Sequence, residues 1–424
     1  MSLSPTSLEL AGTGLFAAAV AHTFLTRHFE RLARLQPAHA GLWHLLGEVE
    51  AVFGFWALIF VIVMAAHSGT GAATSYLSGL NYTEPMFVFV VMVIAASRPI
   101  LQLARQLILG LAGALPLPGP AAFYLVAMWL TPLMGSFITE PAAMTLCALL
   151  LREQIFERGI SRRLKYATLG VLFVNVSIGG ALTPYAAPPV LMVAAAWGWD
   201  LAFMLSNFGW RVALAVTVNA ALVTAVFWSE LKGLPMGKKS AAADLRIDVP
   251  VPLIAVHLAF LAAVVAFAHH PEVFMGLFLF FLGFTQAYER YQDRLMLREA
   301  LLVAFFLAGL VTLGGQQAWW LQPMLTGLSP TVLYFGATVL TAITDNAALT
   351  YLGSLVQGTD AAFRYALVAG ALTGGGLTVI ANAPNPAGWA LLRGQFDDGA
   401  ISPLGLFAAA SAPTAVAIVA FWIL

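Results

Sequence analysis

Two octets of this chain match each other. Ile138-Thr-Glu-Pro-Ala-Ala-Met-Thr145 aligns with Ile343-Thr-Asp-Asn-Ala-Ala-Leu-Thr350. Thr139 falls on Thr344, Glu140 on Asp345 and Thr145 on Thr350. Each acid interrupts an apolar run. An ionised group at membrane depth costs at least ~2.5 kcal/mol, so each needs a proton, a counter-charge or a metal ion. A hard monovalent cation held by oxygens would serve, with Thr139, Thr344, Asn346, Asn382 and Asn385 completing the shell beside freed backbone carbonyls. Desolvation disfavours the charged form of a carboxyl, so one such group can hold a proton or a metal ion in turn. Mutually exclusive occupancy of one carboxyl is the minimal chemistry of exchange. Helix capping is the competing use, because Thr344, Asp345 and Asn346 are all favoured N-cap types.

A second pair of segments matches further on. Gly179-Gly-Ala-Leu-Thr-Pro184 aligns with Gly374-Gly-Gly-Leu-Thr-Val379, followed by Pro188 and Pro384. Asn382-Ala-Pro-Asn385 has Ala186-Ala-Pro-Pro189 as its counterpart, which lacks the amides. The second half is therefore expected to contribute more ligands. Residues 139–141, 183–189, 344–346 and 374–386 all demand irregular backbone. Inside a bilayer such backbone survives only when buried in protein or lining a wet cavity. Half-helix C-termini and free carbonyls suit a cation, and half-helix N-termini suit an anion, so the backbone alone leaves the sign of the substrate open.

The elements that position these residues follow from composition. Of 424 residues, 60% are hydrophobic and 9% charged, against about 25% charged in a soluble domain. A spanning helix needs roughly 20 apolar residues, and many stretches qualify. The chain reads as an all-α integral membrane protein. Zero formal net charge points to no nucleic-acid partner. Cys147, the one cysteine, allows neither an internal disulfide nor a cysteine-based metal site. Residues 1–7 lack the positive charge of a signal peptide, so residues 8–26 read as a retained first span.

Basic residues collect on one side of the spans. Arg27, Arg31 and Arg34 follow the first span, and Arg152, Arg158, Arg162, Arg163 and Lys165 form the densest cluster. Lys232, Lys238, Lys239 and Arg246 lie in the linker 229–250, and Arg290, Arg294 and Arg298 make a fourth group. All four are assigned to the cytoplasm. Spans 51–67 and 85–105 then leave residues 121–151 to enter and return, as a re-entrant hairpin interrupted over 135–141. Spans 166–195, 201–228, 252–268, 273–288 and 299–320 follow. Residues 330–357 make a second hairpin, entered from the opposite side and interrupted over 344–347. Residues 364–393 form a second broken helix, and 402–424 the last span. The expectation is about ten crossings, two hairpins and two broken helices (166–195 and 364–393), arranged as inverted-topology repeats. Residues 1–50 carry the first span and its connection, 51–228 the first repeat, 251–272 a linking span and 273–424 the second repeat.

Other charged residues read mostly as interfacial. Arg105 is expected to snorkel. Arg211 and Arg98 are candidate charge partners for a buried acid such as Glu140, with snorkelling as the alternative. Glu48 and Glu50 precede the second span and are expected in a wet interface, with a place in a proton path as the alternative. His257 reads as a packed span histidine.

The tip octets and the segment Gly374-Gly-Gly-Leu-Thr-Val-Ile-Ala-Asn-Ala-Pro-Asn-Pro386 resemble the ion-transporter superfamily, which includes sodium/proton antiporters, arsenite permeases and sodium-coupled divalent-anion symporters. Within it they look most like a bacterial family of Na+/H+ antiporters, from about residue 51 onward. The resemblance implies a transport domain of hairpins and broken helices moving against a dimerising scaffold, with elevator-type alternating access, in a multi-pass homodimer of a bacterial inner membrane. Divalent-anion members carry Ser-Asn-Thr at both tips. Here those positions read Thr139-Glu-Pro141 and Thr344-Asp-Asn346, and fixed acids would repel a carboxylate substrate. Pro141 stands where an amide ligand would, so the better sodium site is expected around Asp345, with Asn346 and Asn382.

Monovalent cation/proton exchange is thus the leading expectation, with Na+ as transported ion, no other cofactor, and the lipid bilayer as partner. Coupled transport of a small anion, such as a carboxylate or an oxyanion, is the alternative if Arg211 or Arg98 faces the cavity. An enzyme is not expected, since neither a zinc-binding His-Glu-x-x-His nor a Gly-x-Ser-x-Gly elbow occurs. A phosphate-binding loop is also missing, which argues against direct ATP drive.

Overall fold

The structure, a computed structural model, describes residues 4–235 and 248–424, and among these the chain is helical, with no strand. Lys238, Lys239 and Arg246 of the linker lie outside the described residues. Six helices are long and apolar enough to cross a membrane: Val49–Ser68, Gly119–Ile138, Arg162–Leu182, Leu201–Val226, Leu297–Gly314 and Pro403–Ile423. Two bent pairs bring the number to eight if each is one span. They are Ser7–Thr23 with His28–Leu35, bent by 72°, and Thr70–Ser78 with Thr83–Ala95, bent by 61°. Val251–Ala266 and Pro271–Ala287 are apolar but shorter, at 16 and 17 residues.

Short polar residues set the helix starts. Thr6 and Glu9 form a reciprocal capping box ahead of Ser7–Thr23. Ser161, Asp200, Ser329, Asp360 and Ser402 each accept a backbone N–H from the first turn that follows. One expected span divides. Residues 85–105 form Thr83–Ala95 and then Arg98–Ala114, parted at Ala96 and Ser97. Pro99 accounts for the break: it has no N–H to bond the carbonyl of Ala95, and its ring would clash with that carbonyl in a continuous helix. The first interruption is narrower than the sequence suggests. Gly119–Ile138 runs through Pro132 and Gly135, and Thr139 alone separates it from Glu140–Gln154.

The helices sort into two packed groups. Val49–Ser68 and Thr83–Ala95 both pack on Leu297–Gly314, with Ser7–Thr23, Val251–Ala266 and Pro271–Ala287 against them. Gly54 and Gly309 let two of these backbones touch, since a methyl on Gly309 would meet the main chain of Phe53 and Gly54. The second group holds both helix pairs and both broken helices. Its centre is Arg162–Gly179, buried on nearly every side beyond its first turn. Asn175 donates to Met128 O at 3.0 Å and accepts from Asn219 at 2.9 Å, so these two buried amides are held inside the group.

Packing within the second group is reciprocal. Gly119–Ile138 lies on Arg162–Gly179, and Pro330–Thr341 lies on Ala361–Gly374. The return arms cross over: Glu140–Gln154 packs on Asn385–Leu392, and Asn346–Ser354 on Pro188–Trp197. Glycines permit the close approaches, because a methyl on Gly179 would strike the carbonyl of Pro132 and one on Gly374 that of Thr338.

Contacts between helix ends fall into two sets. One joins Arg298 to Glu48, Arg105 to Glu153 at 3.6 Å, Lys165 to Gln395 O at 2.6 Å, Ser161 N to Glu230 at 2.6 Å and Val249 N to Gln102 at 3.1 Å. The other joins Ser7 to His67 at 3.2 Å, Gln357 N to Gln322 at 2.8 Å and Arg364 to the Trp197 ring at 5.5 Å. The basic-residue bias would put these two sets on opposite faces.

Gly179→Ala and Gly374→Ala are each expected to destabilise the protein by about 1–3 kcal/mol through overpacking. Gly336→Ala, with open space around it, should be neutral or slightly stabilising. Thermal unfolding in detergent checks this; equal melting of all three variants would contradict the close packing.

Candidate functional site

The two tips are built differently. Thr139 has φ 70° and ψ 151°, a region almost confined to glycine and an outlier for a β-branched residue. It is the only non-glycine residue with positive φ among those described. The neighbouring broken helix holds it there. Ser136 Oγ donates to Gly179 O at 2.7 Å and accepts from Leu182 N at 2.9 Å, and Thr183 Oγ1 donates to Ser136 O at 2.7 Å. Glu140 opens the return arm and is fully buried. Its Oε2 accepts from Asn382 Nδ2 at 2.8 Å. Gly180 leaves room for this carboxyl, since a methyl there would lie 2.6 Å from Glu140 Cγ.

The second tip is wider. Pro330–Thr341 ends, residues 342–345 turn, and Asn346–Ser354 begins. Asp345 is its N-cap: Oδ1 accepts from Ala347 N at 2.8 Å and Ala348 N at 3.1 Å. Oδ2 stays outside the cap. Thr344 Oγ1 bonds back to Leu340 O at 2.8 Å. Asn346 is buried, and its main-chain N–H reaches Ala381 O of the second broken helix at 3.1 Å. Asn385 clamps that break, donating to Gly375 O and Thr378 O, both at 2.8 Å. Thr378 Oγ1 in turn donates to Ala342 O at 2.7 Å.

Buried polar atoms without partners gather here. They include Thr139 Oγ1, Glu140 Oε1, both amide atoms of Asn346, Asn382 Oδ1 and Asn385 Oδ1. Unpaired buried polar groups are costly, and these belong to the two tips and the second break. Space adjoins it. A cavity of about 140 Å³ runs from Phe16, Val20 and Thr23 past Phe306 to Thr344 and Asp345. A smaller one of about 30 Å³ lies between Glu50 and Phe306 on one wall and Asp345 and Asn382 on the other. Thr139 and Pro141 border a third, of about 10 Å³, with Met92, Tyr185 and Ala383. Asp345 is half-buried and borders two cavities, whereas Glu140 is sealed. Among the described residues no three His, Cys, Asp or Glu side chains form a metal-holding group, so any cation here would depend on amide, hydroxyl and carbonyl oxygens too.

Glu140, Asn382, Asn346, Asp345 and the Asn385 clamp are thus joined through the two tips and the second break. The arginines are elsewhere. Arg211 Nη1 donates to Asn207 O at 2.6 Å and its guanidinium covers the Trp210 ring at 4.3 Å and the Tyr365 ring at 5.5 Å. Arg98 lies 4.0 Å from Asp293. Sequence reasoning gave no role to Ser136, and it placed Gly180 and Thr183 in a matched segment without assigning them to the first tip, which all three shape. It placed Glu50 in an interface. The available signal for Glu50 was an acid in the first turn of a strongly apolar span.

Asn382→Ala should destabilise the protein by about 1–3 kcal/mol, because it strips the Glu140 carboxyl of its donor. Paired with Glu140→Ala in a double-mutant cycle, it should show coupling of at least about 0.5 kcal/mol. Additive effects on unfolding in detergent would mean the two side chains do not interact.

Comparison with curated proteins finds no match. The sequence pattern of the family described as "Putative Na+/H+ antiporter" matches residues 7–424, essentially the whole length. The chain belongs to that family of multi-pass membrane transporters.

Proposed function

We propose that this protein exchanges a monovalent cation, sodium first, for protons, and that Asp345 is where the two compete. The observation that carries the reading is the second tip. Its carboxylate borders both larger cavities and faces a wall of unpartnered amide oxygen from Asn382. Asn346 supplies a further amide oxygen from the same tip. A cation entering the cavity neutralises Asp345 and is completed by those oxygens; a proton neutralises it equally. Either species discharges the site, and a discharged site is the one that can cross an apolar barrier cheaply.

The anion alternative loses support from the same geometry. Helix N-termini at the tips would attract an anion, but Glu140 and Asp345 already occupy them. No Lys or Arg lines the three cavities.

Movement would follow the two packing groups. The helix pairs and broken helices form the moving body in this reading, re-entrant hairpins within two inverted repeats, and the other group forms the scaffold of a dimer with about ten crossings in all. The reciprocal packing of return arms on the opposite broken helix and the two-sided set of end contacts support it. Asp345 lies beside Thr23, Val49 and Glu50, at the end of the scaffold that the basic residues mark as cytoplasmic. In this reading the protein is an elevator in a bacterial inner membrane, and the arrangement is its inward-facing state.

Purified protein in proteoliposomes, with a lumenal pH dye and an imposed pH gradient, tests the reading. Adding Na+, Li+ or K+ should move protons, and Asp345→Asn should abolish the response. A response to citrate with none to any cation would overturn it in favour of anion transport.

A further inference from the structure

We propose that Glu50, on the scaffold, is the group that passes the proton between Asp345 and the solvent on the side of Arg298. The inference rests on the exchange reading above. Glu50 sits in the first turn of Val49–Ser68, a helix outside the group that carries the tips. It shares the cavity of about 30 Å³ with Asp345 and Asn382. A water needs roughly 10–15 Å³ of such space and two or more polar partners, so one bridging water fits between the carboxyls. Asn382, a side chain 1% exposed whose Oδ1 has no hydrogen-bond partner, borders the same space and can hold that water.

The surrounding charges leave Glu50 available. Arg298, from the neighbouring Leu297–Gly314, is paired with Glu48. His22, from Ser7–Thr23, is held between Leu46 O at 2.9 Å and the Trp56 indole N–H at 3.1 Å. Glu140 stands behind Asn382. No salt bridge to Glu50 is formed among the described residues, and the charges that act on it are those of Glu48 and Arg298.

The step balances simply. Protonated Asp345 gives its proton through the water to the Glu50 carboxylate; Asp345 is left anionic and takes a cation. Glu50 then releases the proton to solvent at the Glu48–Arg298 end and is a carboxylate again. Because Glu50 stays with the scaffold, the hand-off is possible only while Asp345 is drawn to this end. In the opposite state Asp345 would have to exchange its proton with another group.

Reconstituted full-length Glu50→Gln separates this from other roles. It should keep 22Na+/Na+ self-exchange at symmetrical pH within about twofold of the parent. Sodium-driven proton movement should slow by about 10- to 100-fold, the scale of a lost proton-transfer group. Glu50→Asp should restore much of the coupled rate, and the retained self-exchange would show that the variant is folded. Unchanged coupled transport in Glu50→Gln would overturn the proposal, as would an equal fall in both activities. If the parent protein itself moves no protons with any cation, the exchange reading fails first and the inference falls with it.

Discussion

The constraint behind this structure is that a broken helix at membrane depth must find every hydrogen bond inside the protein. Water is not there to satisfy freed N–H and C=O groups, and each one left open costs several kcal/mol. The breaks are accordingly stitched by side chains. Ser136 and Thr183 tie the first break to the first tip, and Thr378 and Asn385 tie the second. Against that background the atoms left open are informative. They collect on Thr139, Glu140, Asn346, Asn382 and Asn385, where the stitching stops.

The same constraint explains why the two matched tips differ in use. At the first, a proline follows the acid and no amide is available from its own broken helix, so Glu140 takes a donor from the other half, Asn382. The carboxyl is sealed, and Gly180 is shaped around it. At the second, Asp345 takes its donors from its own helix start and remains open to two cavities. One acid therefore holds the halves together while the other faces solvent-sized space. A site of this kind is asymmetric even though its parts are duplicated. The scaffold adds to the asymmetry, since Glu50 reaches only the second tip's cavity among the three that touch the site.

Family membership over nearly the whole chain agrees with this chemistry without specifying it. In the exchange reading, occupation of Asp345 by a proton or a cation would remove the charge that resists burial. Arg211 and Arg98, which a repelling or anion-binding role would bring to the tips, are committed to ring faces and to Asp293.

The sequence by itself determined the membrane class, the positions of all four breaks and the residue types at the tips. Composition, Gly/Pro clusters and the matched octets are local properties, readable without knowing what packs where. Local chemistry also misplaced some boundaries. Gly135 and Pro132 look like breakers but stay helical, while Pro99 divides a span that hydropathy reads as continuous. Partner choice was decided only by the tertiary structure. Glu140 and Asn382 lie in different halves, and either could have met other polar groups. Asn385 serves as a clamp because the carbonyls of Gly375 and Thr378 happen to converge on its amide. Glu50 looked interfacial because nothing in its neighbourhood of the chain says that it shares a cavity with Asp345. Distances between residues far apart in the chain are set by how helices pack, and that depends on every side chain between them.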